Sequence, residues 1–405
     1  MRVFSIKALA CLVFLWMSEA VFAGDWPQFR GPGGSAVANE SSLPVRWSAQ
    51  EGLAWKIPLQ GRGLSCPVIA GGRLFLTSCS GYRQNKLHIL AFDPLTGKQL
   101  WERQLASTGN PTCHPKTCMA APTPATDGQR VFTLFATGDL AAFDRDGNLL
   151  WYRSLEIDYP DITNMVGLAA SPVLWKDVLV VPMDNAGDSL VVAVDARTGK
   201  NLWKISRPRI INWSTPAIVA QGAHSASVIL QTENSVLAVD AQTGSEKWKL
   251  ETPGPSTVPT PTSGEGLLLA PGKETLVLDA TGKSVPTPKW KSPKLAGGYS
   301  SPLIHQGKIY GLSSIGLNVF DSQDGKEIAL IRMKGPFSGS PVIGANHLYL
   351  VNEEGTAFVV RLGEKPELAY TNELKDTILC TPALSNGRIY FRSDAFLYCV
   401  GPVMK

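Results

Sequence analysis

Beyond its N-terminus, this chain carries its apolar residues in short runs separated by polar corners, and no stretch shows the 3.6-residue period of a long amphipathic helix. Segment 301–331 displays the pattern. Ser301-Pro302-Leu303-Ile304 opens a strand and Gln306-Gly307 turns it. Lys308 to Leu312 returns, Ser314-Ile315-Gly316 turns again, and Leu317 to Phe320 runs out to Asp321. After Asp324-Gly325, Glu327 to Ile331 makes a fourth strand. Proline suits the start of such a unit, because a missing N–H at the first residue of a strand costs no ladder bond.

The opening recurs eight times, at Cys66-Pro67, Thr123-Pro124, Ser171-Pro172, Thr215-Pro216, Thr260-Pro261, Ser301-Pro302, Ser340-Pro341 and Thr381-Pro382. The intervals run from about 39 to 57 residues, a period that marks propellers and solenoids. A second signature lies later in each unit. Ala91-Phe92-Asp93, Gly97 and Trp101 keep the same spacings as Ala193-Val194-Asp195, Gly199 and Trp203, and as Ala238-Val239-Asp240, Gly244 and Trp248. Asp144, Gly147 and Trp151 form a unit one residue shorter, and Asp279 reaches Trp290 after an insertion. Asp321 keeps the turn without a tryptophan. The aspartate is expected to accept backbone N–H groups in the corner, and Gly97 to supply its positive φ.

Four antiparallel strands per unit is a propeller blade. The fold expected is therefore all-β, an eight-bladed propeller. The final repeat, from Thr381 to Val400, supplies only three strands, whereas Leu53 to Leu59 has the pattern of a fourth strand and precedes every complete blade. This segment is expected to complete the last blade, closing the ring and removing two exposed edges. Trp55, Trp101, Trp151, Trp203, Trp248 and Trp290 then occupy one repeated position, with Tyr370 in the seventh blade. Their expected role is structural, as rings wedged between neighbouring blades.

The N-terminus reads as an address. Arg2 and Lys7 precede an apolar run from Ala8 to Met17, and Val21-Phe22-Ala23 offers a cleavage site. The run is too short to span a bilayer. The expected organisation is a signal peptide over residues 1–23, an extension over 24–50 and one propeller over 51–405, with the mature protein periplasmic or secreted. The chain has seven cysteines, and with Cys11 in the leader six remain. In an exported chain this even number suggests disulfides, with 15 possible pairings. Cys113 and Cys118 are close enough in sequence to close a short loop. Cys66, Cys79, Cys380 and Cys399 lie in the first and last repeats.

A net charge of +4 without a basic run argues against nucleic acid as a partner. Cys113-His114-Pro115-Lys116-Thr117-Cys118 offers too few ligands for a closed zinc site. His88, His224, His305 and His347 are scattered over different repeats, and no Gly-x-Ser-x-Gly, Walker loop or dinucleotide fingerprint is present.

The repeat at Ala91, Ala193 and Ala238 resembles the tryptophan-docking repeat of the quinoprotein (PQQ enzyme repeat) propellers, over roughly residues 50 to 400. Asp25-Trp26-Pro27-Gln28-Phe29-Arg30-Gly31-Pro32-Gly33-Gly34 also looks like the start of exported bacterial propellers of this kind. The resemblance implies one of two functional kinds. One comprises PQQ-dependent alcohol and sugar dehydrogenases. The other comprises non-catalytic propellers such as BamB, the lipoprotein scaffold of the outer-membrane β-barrel assembly machine. The dehydrogenases are longer and resemble one another in an adjacent Cys-Cys pair, which is missing here. The repeated aspartates mark inter-strand turns rather than a calcium set. No catalytic, cofactor or metal residue is therefore assigned.

In propellers of this family the residues just before each Ser/Thr-Pro approach the channel mouth. Here they include Arg62, His114, Asn164, Met165, Asn212, Trp213, Tyr299 and Phe337. The leading expectation is a non-enzymatic scaffold that binds a protein or peptide at one face, with peripheral association to a membrane complex. A small PQQ- and calcium-dependent alcohol or sugar dehydrogenase and a carbohydrate-binding propeller are the alternatives.

Overall fold

The computed structural model describes residues 24–402 apart from 164, 283, 284 and 296. The expected leader, residues 1–23, and the mouth candidate Asn164 thus lie outside the described residues. Eight four-stranded antiparallel sheets form the eight blades of a propeller. The first seven use consecutive strands, beginning with Val68–Ala70, Arg73–Ser80, Lys86–Phe92 and Gln99–Ala106. Among the described residues the helical pieces are short, such as Leu155–Asp158.

The eighth blade joins the two ends of the chain. Ala383–Ser385, Arg388–Arg392 and Phe396–Val400 supply its inner three strands, and Leu53–Pro58 pairs antiparallel with Phe396–Val400 as the fourth. Gly401 N–H donates to Gly52 O at 3.1 Å, where a covalent hairpin would otherwise stand. The seam is therefore held by ordinary ladder bonds, and Phe396–Val400 is paired on both sides rather than left as an edge.

The recurring motif resolves into one interlock. Each tryptophan lies across the ladder from a small or β-branched residue, as in Ala91–Trp101, Ala193–Trp203 and Val277–Trp290, and a bulge immediately precedes it in its strand. Its indole reaches the next blade. Trp55 Nε1 donates to Pro94 O at 3.2 Å, Trp101 to Arg145 O at 2.9 Å, Trp151 to Ala196 O at 3.0 Å, and Trp203 to Ala241 O at 2.9 Å. Trp290 donates to Ser322 O at 3.2 Å, and Trp248 packs among blade 4 and 5 residues that include Ala280. The ring face lies on the turn glycine of that next blade, Gly97 for Trp55 and Gly244 for Trp203. In blade 7, Tyr370 takes the position opposite Val359. Blade 8 has no third-to-fourth-strand turn to receive it, and Arg46 of the N-terminal segment covers its ring instead, at 4.6 Å. The turn aspartates behave as their spacing implies: Asp93 Oδ1 accepts the N–H groups of Leu95 and Thr96 at 2.8 and 2.9 Å.

The segment from Asp25 onward crosses the channel end opposite the mouth, visiting one inner strand after another. Trp26 exchanges backbone bonds with Ile69 in blade 1, and Pro27 O accepts Thr126 N–H in blade 2. Gln28 Oε1 accepts Leu174 N–H in blade 3. Arg30 reaches Thr262 Oγ1 at 2.6 Å and Pro302 O at 2.7 Å, in blades 5 and 6. Ala36 and Ala38 bracket Ile343 in blade 7, and the Glu40 carboxylate accepts the N–H groups of Asn386 and Gly387 in blade 8. Trp26 and Arg30 are fully buried. Burial lowers the Arg30 guanidinium to about 9. The stretch read from sequence as an opening signature is thus the floor of the channel.

Candidate functional site

The floor turns the channel into a blind funnel with a cavity of about 240 Å³ at its base. Two tiers from the eight blades line it. The lower tier is the residue before each repeated proline: Cys66, Thr123, Ser171, Thr215, Thr260, Ser301, Ser340 and Thr381. The upper tier lies two residues earlier in each blade: Leu64, Ala121, Ala169, Trp213, Val258, Tyr299, Ser338 and Leu379. Phe29, from the floor segment, closes the base.

The lower tier explains why Ser or Thr recurs before proline. Six of its seven hydroxyls accept a backbone N–H from the preceding blade, stitching the ring around its axis. Cys66 N–H donates to Thr123 Oγ1, Thr123 N–H to Ser171 Oγ, Ser171 N–H to Thr215 Oγ1 and Ser301 N–H to Ser340 Oγ, all at 3.0 Å. Thr260 N–H donates to Ser301 Oγ at 2.9 Å and Ser340 N–H to Thr381 Oγ1 at 3.0 Å. Proline cannot donate, so its neighbour's N–H carries the inter-blade bond alone.

The loop between blades 1 and 2 arches over the rim. Lys116 Nζ crosses to Glu353 Oε1 in blade 7 at 2.7 Å and lies 4.8 Å from the Tyr299 ring centre. Ser338 Oγ donates to the same Glu353 oxygen at 2.7 Å. His114 meets Trp213 edge-on at 6.1 Å, and Trp213 Nε1 is held by Gly167 O at 2.9 Å. Lys116 N–H donates to His114 Nδ1 at 3.1 Å, so the neutral ring carries its hydrogen on Nε2.

Of the mouth residues read from sequence, His114, Trp213 and Tyr299 line the cavity. Arg62 sits on the rim, bound to Asp394 at 3.3 Å and to Pro115 O at 3.1 Å. Met165 is exposed, and the next residue, Val166, accepts the His114 N–H at 2.9 Å. Phe337 and Asn212 do not reach the funnel. Phe337 is buried against Phe358, and the Asn212 amide is buried between Asp184 Oδ2 at 2.8 Å and Gln231 O at 2.7 Å. Both lie one residue too early, since the side chain aimed at the axis is two before the Ser or Thr rather than three. The hydroxyl tier was missed as part of the site, although its eightfold spacing was the available signal.

Nor are Cys113 and Cys118 joined to each other. Cys113 stays half-buried on the loop near Thr117 O, while Cys118 turns fully into the core, within hydrogen-bonding reach of the Cys79 thiol. That contact lowers Cys79, and burial raises Cys118. All six described cysteines are free thiols.

The cavity lining contains no Asp or Glu. Among the described residues no group of His, Cys, Asp and Glu is placed to hold a metal. A hard cation such as calcium takes six to eight oxygen ligands, several of them carboxylates. The donor set here therefore does not fit the calcium that accompanies a quinone cofactor.

A family model described as "Outer membrane protein assembly factor BamB" matches residues 22–185 and 187–402. The chain belongs to the BamB family. No curated protein sequence matches it. BamB from Moraxella catarrhalis superposes with a TM-score of 0.63 at 15% identity, covering 86% of this chain and 97% of the other. Quinohemoprotein alcohol dehydrogenase from Comamonas testosteroni gives 0.69 at 15% identity, over 95% and 83%. The quinohemoprotein alcohol dehydrogenase ADHIIG from Pseudomonas putida HK5 gives 0.66 at 14% identity, over 95% and 81%. At these identities the solved structures share the fold with this BamB-family chain. No helix among its described residues is long and apolar enough to cross a membrane.

Proposed function

We propose that this protein is an exported, non-enzymatic propeller that binds a protein or peptide partner at the mouth of its funnel. The observation that carries the reading is the funnel's own construction. Its base is sealed by Phe29, its wall is a double tier drawn from all eight blades, and its lining holds aromatic and hydroxyl groups but no carboxylate. Such a site offers rigid recognition, and its titratable side chains, His114 and Lys116, are engaged with Trp213 and Glu353. Family membership in BamB supports a partner in a membrane-associated assembly. Periplasmic or secreted placement is part of this reading, resting on the leader-like sequence at residues 1–23.

The test uses a photo-crosslinking amino acid at Met165, which is exposed beside the mouth, and at Leu95, exposed on a turn of the opposite face. In cells of the source organism, a discrete crosslinked polypeptide is expected from Met165 and none from Leu95. Reduction of a redox dye over an alcohol or sugar panel, dependent on added PQQ and calcium, would overturn the proposal.

A further inference from the structure

We propose that the blind funnel receives a carboxylate-bearing end, specifically the last residue of a peptide chain. This rests on the peptide-binding reading above and goes beyond it by naming what enters the cavity.

The argument begins with hydrogen-bond accounting. Ser171, Thr215, Ser301 and Ser340 are each at least nine-tenths buried and line the cavity. Each oxygen accepts one backbone N–H from the neighbouring blade. Their own O–H hydrogens meet no acceptor among the described residues. A buried donor without an acceptor is costly, so the base of the funnel favours a ligand rich in acceptors. His114, whose neutral ring carries its hydrogen on Nε2, also lines the cavity, as does Lys116, its ammonium paired with Glu353. The lining itself holds no carboxylate, and the one at the rim, Glu353, is offset by its ion pair with Lys116.

Size and surface chemistry narrow the class. A cavity of about 240 Å³ exceeds the ~150 Å³ that holds a benzene ring and falls short of the ~300 Å³ at which drug-sized pockets begin. One amino-acid-sized group fits, and the rest of a chain would leave through the mouth. Trp213, Tyr299, Leu64 and Leu379 surround the upper tier, matching an apolar or aromatic side chain above its terminal carboxylate.

The experiment is isothermal titration calorimetry of the full mature protein with three probes. These are an acetylated pentapeptide ending in phenylalanine with a free carboxylate, the same peptide as its C-terminal amide, and 3-phenylpropionate. Two filling variants, Ala169→Phe and Val258→Phe, change upper-tier residues outside the hydroxyl ring, so at least one folded variant blocks the cavity. The free-acid peptide should bind, with the amide at least about tenfold weaker, the cost of losing one hydrogen bond to a charged group. Both filling variants should abolish binding. Equal binding of acid and amide, blocked by filling, would overturn carboxylate recognition and leave the peptide reading standing. Binding of 3-phenylpropionate as tight as that of the peptide would overturn the peptide terminus in favour of a free organic acid. Binding of none of the three, or binding untouched by both filling variants, would overturn the proposal outright.

Discussion

The interlock between Trp203 and Gly244 can be dissected quantitatively. Trp203 is 8% exposed, donates its indole N–H to Ala241 O at 2.9 Å and lies flat on Gly244. Burying about 200 Å² of ring at ~25 cal/mol per Å² gives roughly 5 kcal/mol as an upper bound. Large-to-small core substitutions measured elsewhere cost about 3–5 kcal/mol, which sets the expectation for Trp203→Ala. Gly244 has φ +72°, and a Cβ there would sit 2.8 Å from the Trp203 ring. Gly244→Ala should therefore cost about 1–2 kcal/mol for a left-handed alanine, plus about 1–3 kcal/mol for overpacking against the indole. Once Trp203→Ala has removed the ring, the backbone part remains together with a 3.1 Å contact to the retained Cβ. A double-mutant cycle should accordingly show a coupling of about 1–3 kcal/mol. Urea denaturation followed by far-UV circular dichroism, compared at constant m, would measure it. Leu202→Ala, at a 40% exposed neighbour, serves as the control and should stay within about 0.5 kcal/mol. If Gly244→Ala costs the same with and without Trp203, the interlock is refuted.

Three further outcomes are expected. Arg207 and Asp184 form a buried ion pair at 3.2 Å, so Arg207→Met alone should cost about 3–5 kcal/mol, while the double variant Arg207→Met/Asp184→Asn should recover most of that loss in the same denaturation assay. Carboxylates in the turns are held below their ordinary range, Asp279 first by the Thr281 hydroxyl and Asp144 first by the Asn148 amide. Their folded values lie below the unfolded value of 3.8, so their contribution is present above that pH and is lost as pH falls through the lower folded values; melting scans from pH 5 to 2 should show Tm falling more gently in Asp144→Ala than in wild type. Finally, oxidation by a disulfide reagent such as oxidised glutathione should join Cys79 to Cys118, because those two thiols touch in the core. Peptide mapping after alkylation without reductant checks this, and a Cys113–Cys118 bridge would contradict the structure.

Much of the fold was legible because propeller blades are built from local rules. A Ser/Thr-Pro opening, an aspartate that binds its own turn, and a tryptophan at constant spacing are each set by nearest neighbours in the chain. The eightfold recurrence of the opening counts the blades, and the incomplete last repeat identifies Leu53–Pro58 as the strand that closes the ring. The site was less legible. His114, Trp213 and Tyr299 line the cavity, whereas Phe337 and Asn212, read from the sequence as mouth residues, turn their side chains into the core. A single-residue error suffices, because successive residues at the strand entrance point in different directions and only the packed ring decides which faces the axis.

From the sequence alone come the blade count, the closure and the residue type before each proline. Tertiary structure decided three things that depend on chains meeting across the axis. The segment from Trp26 to Arg30 became a floor because inner strands far apart in sequence converge on one narrow opening. The repeated hydroxyls became an inter-blade belt because each N–H finds its acceptor only in the neighbouring blade. Cys118 met Cys79 rather than Cys113 because burial in the core, and not separation along the chain, sets which thiols touch.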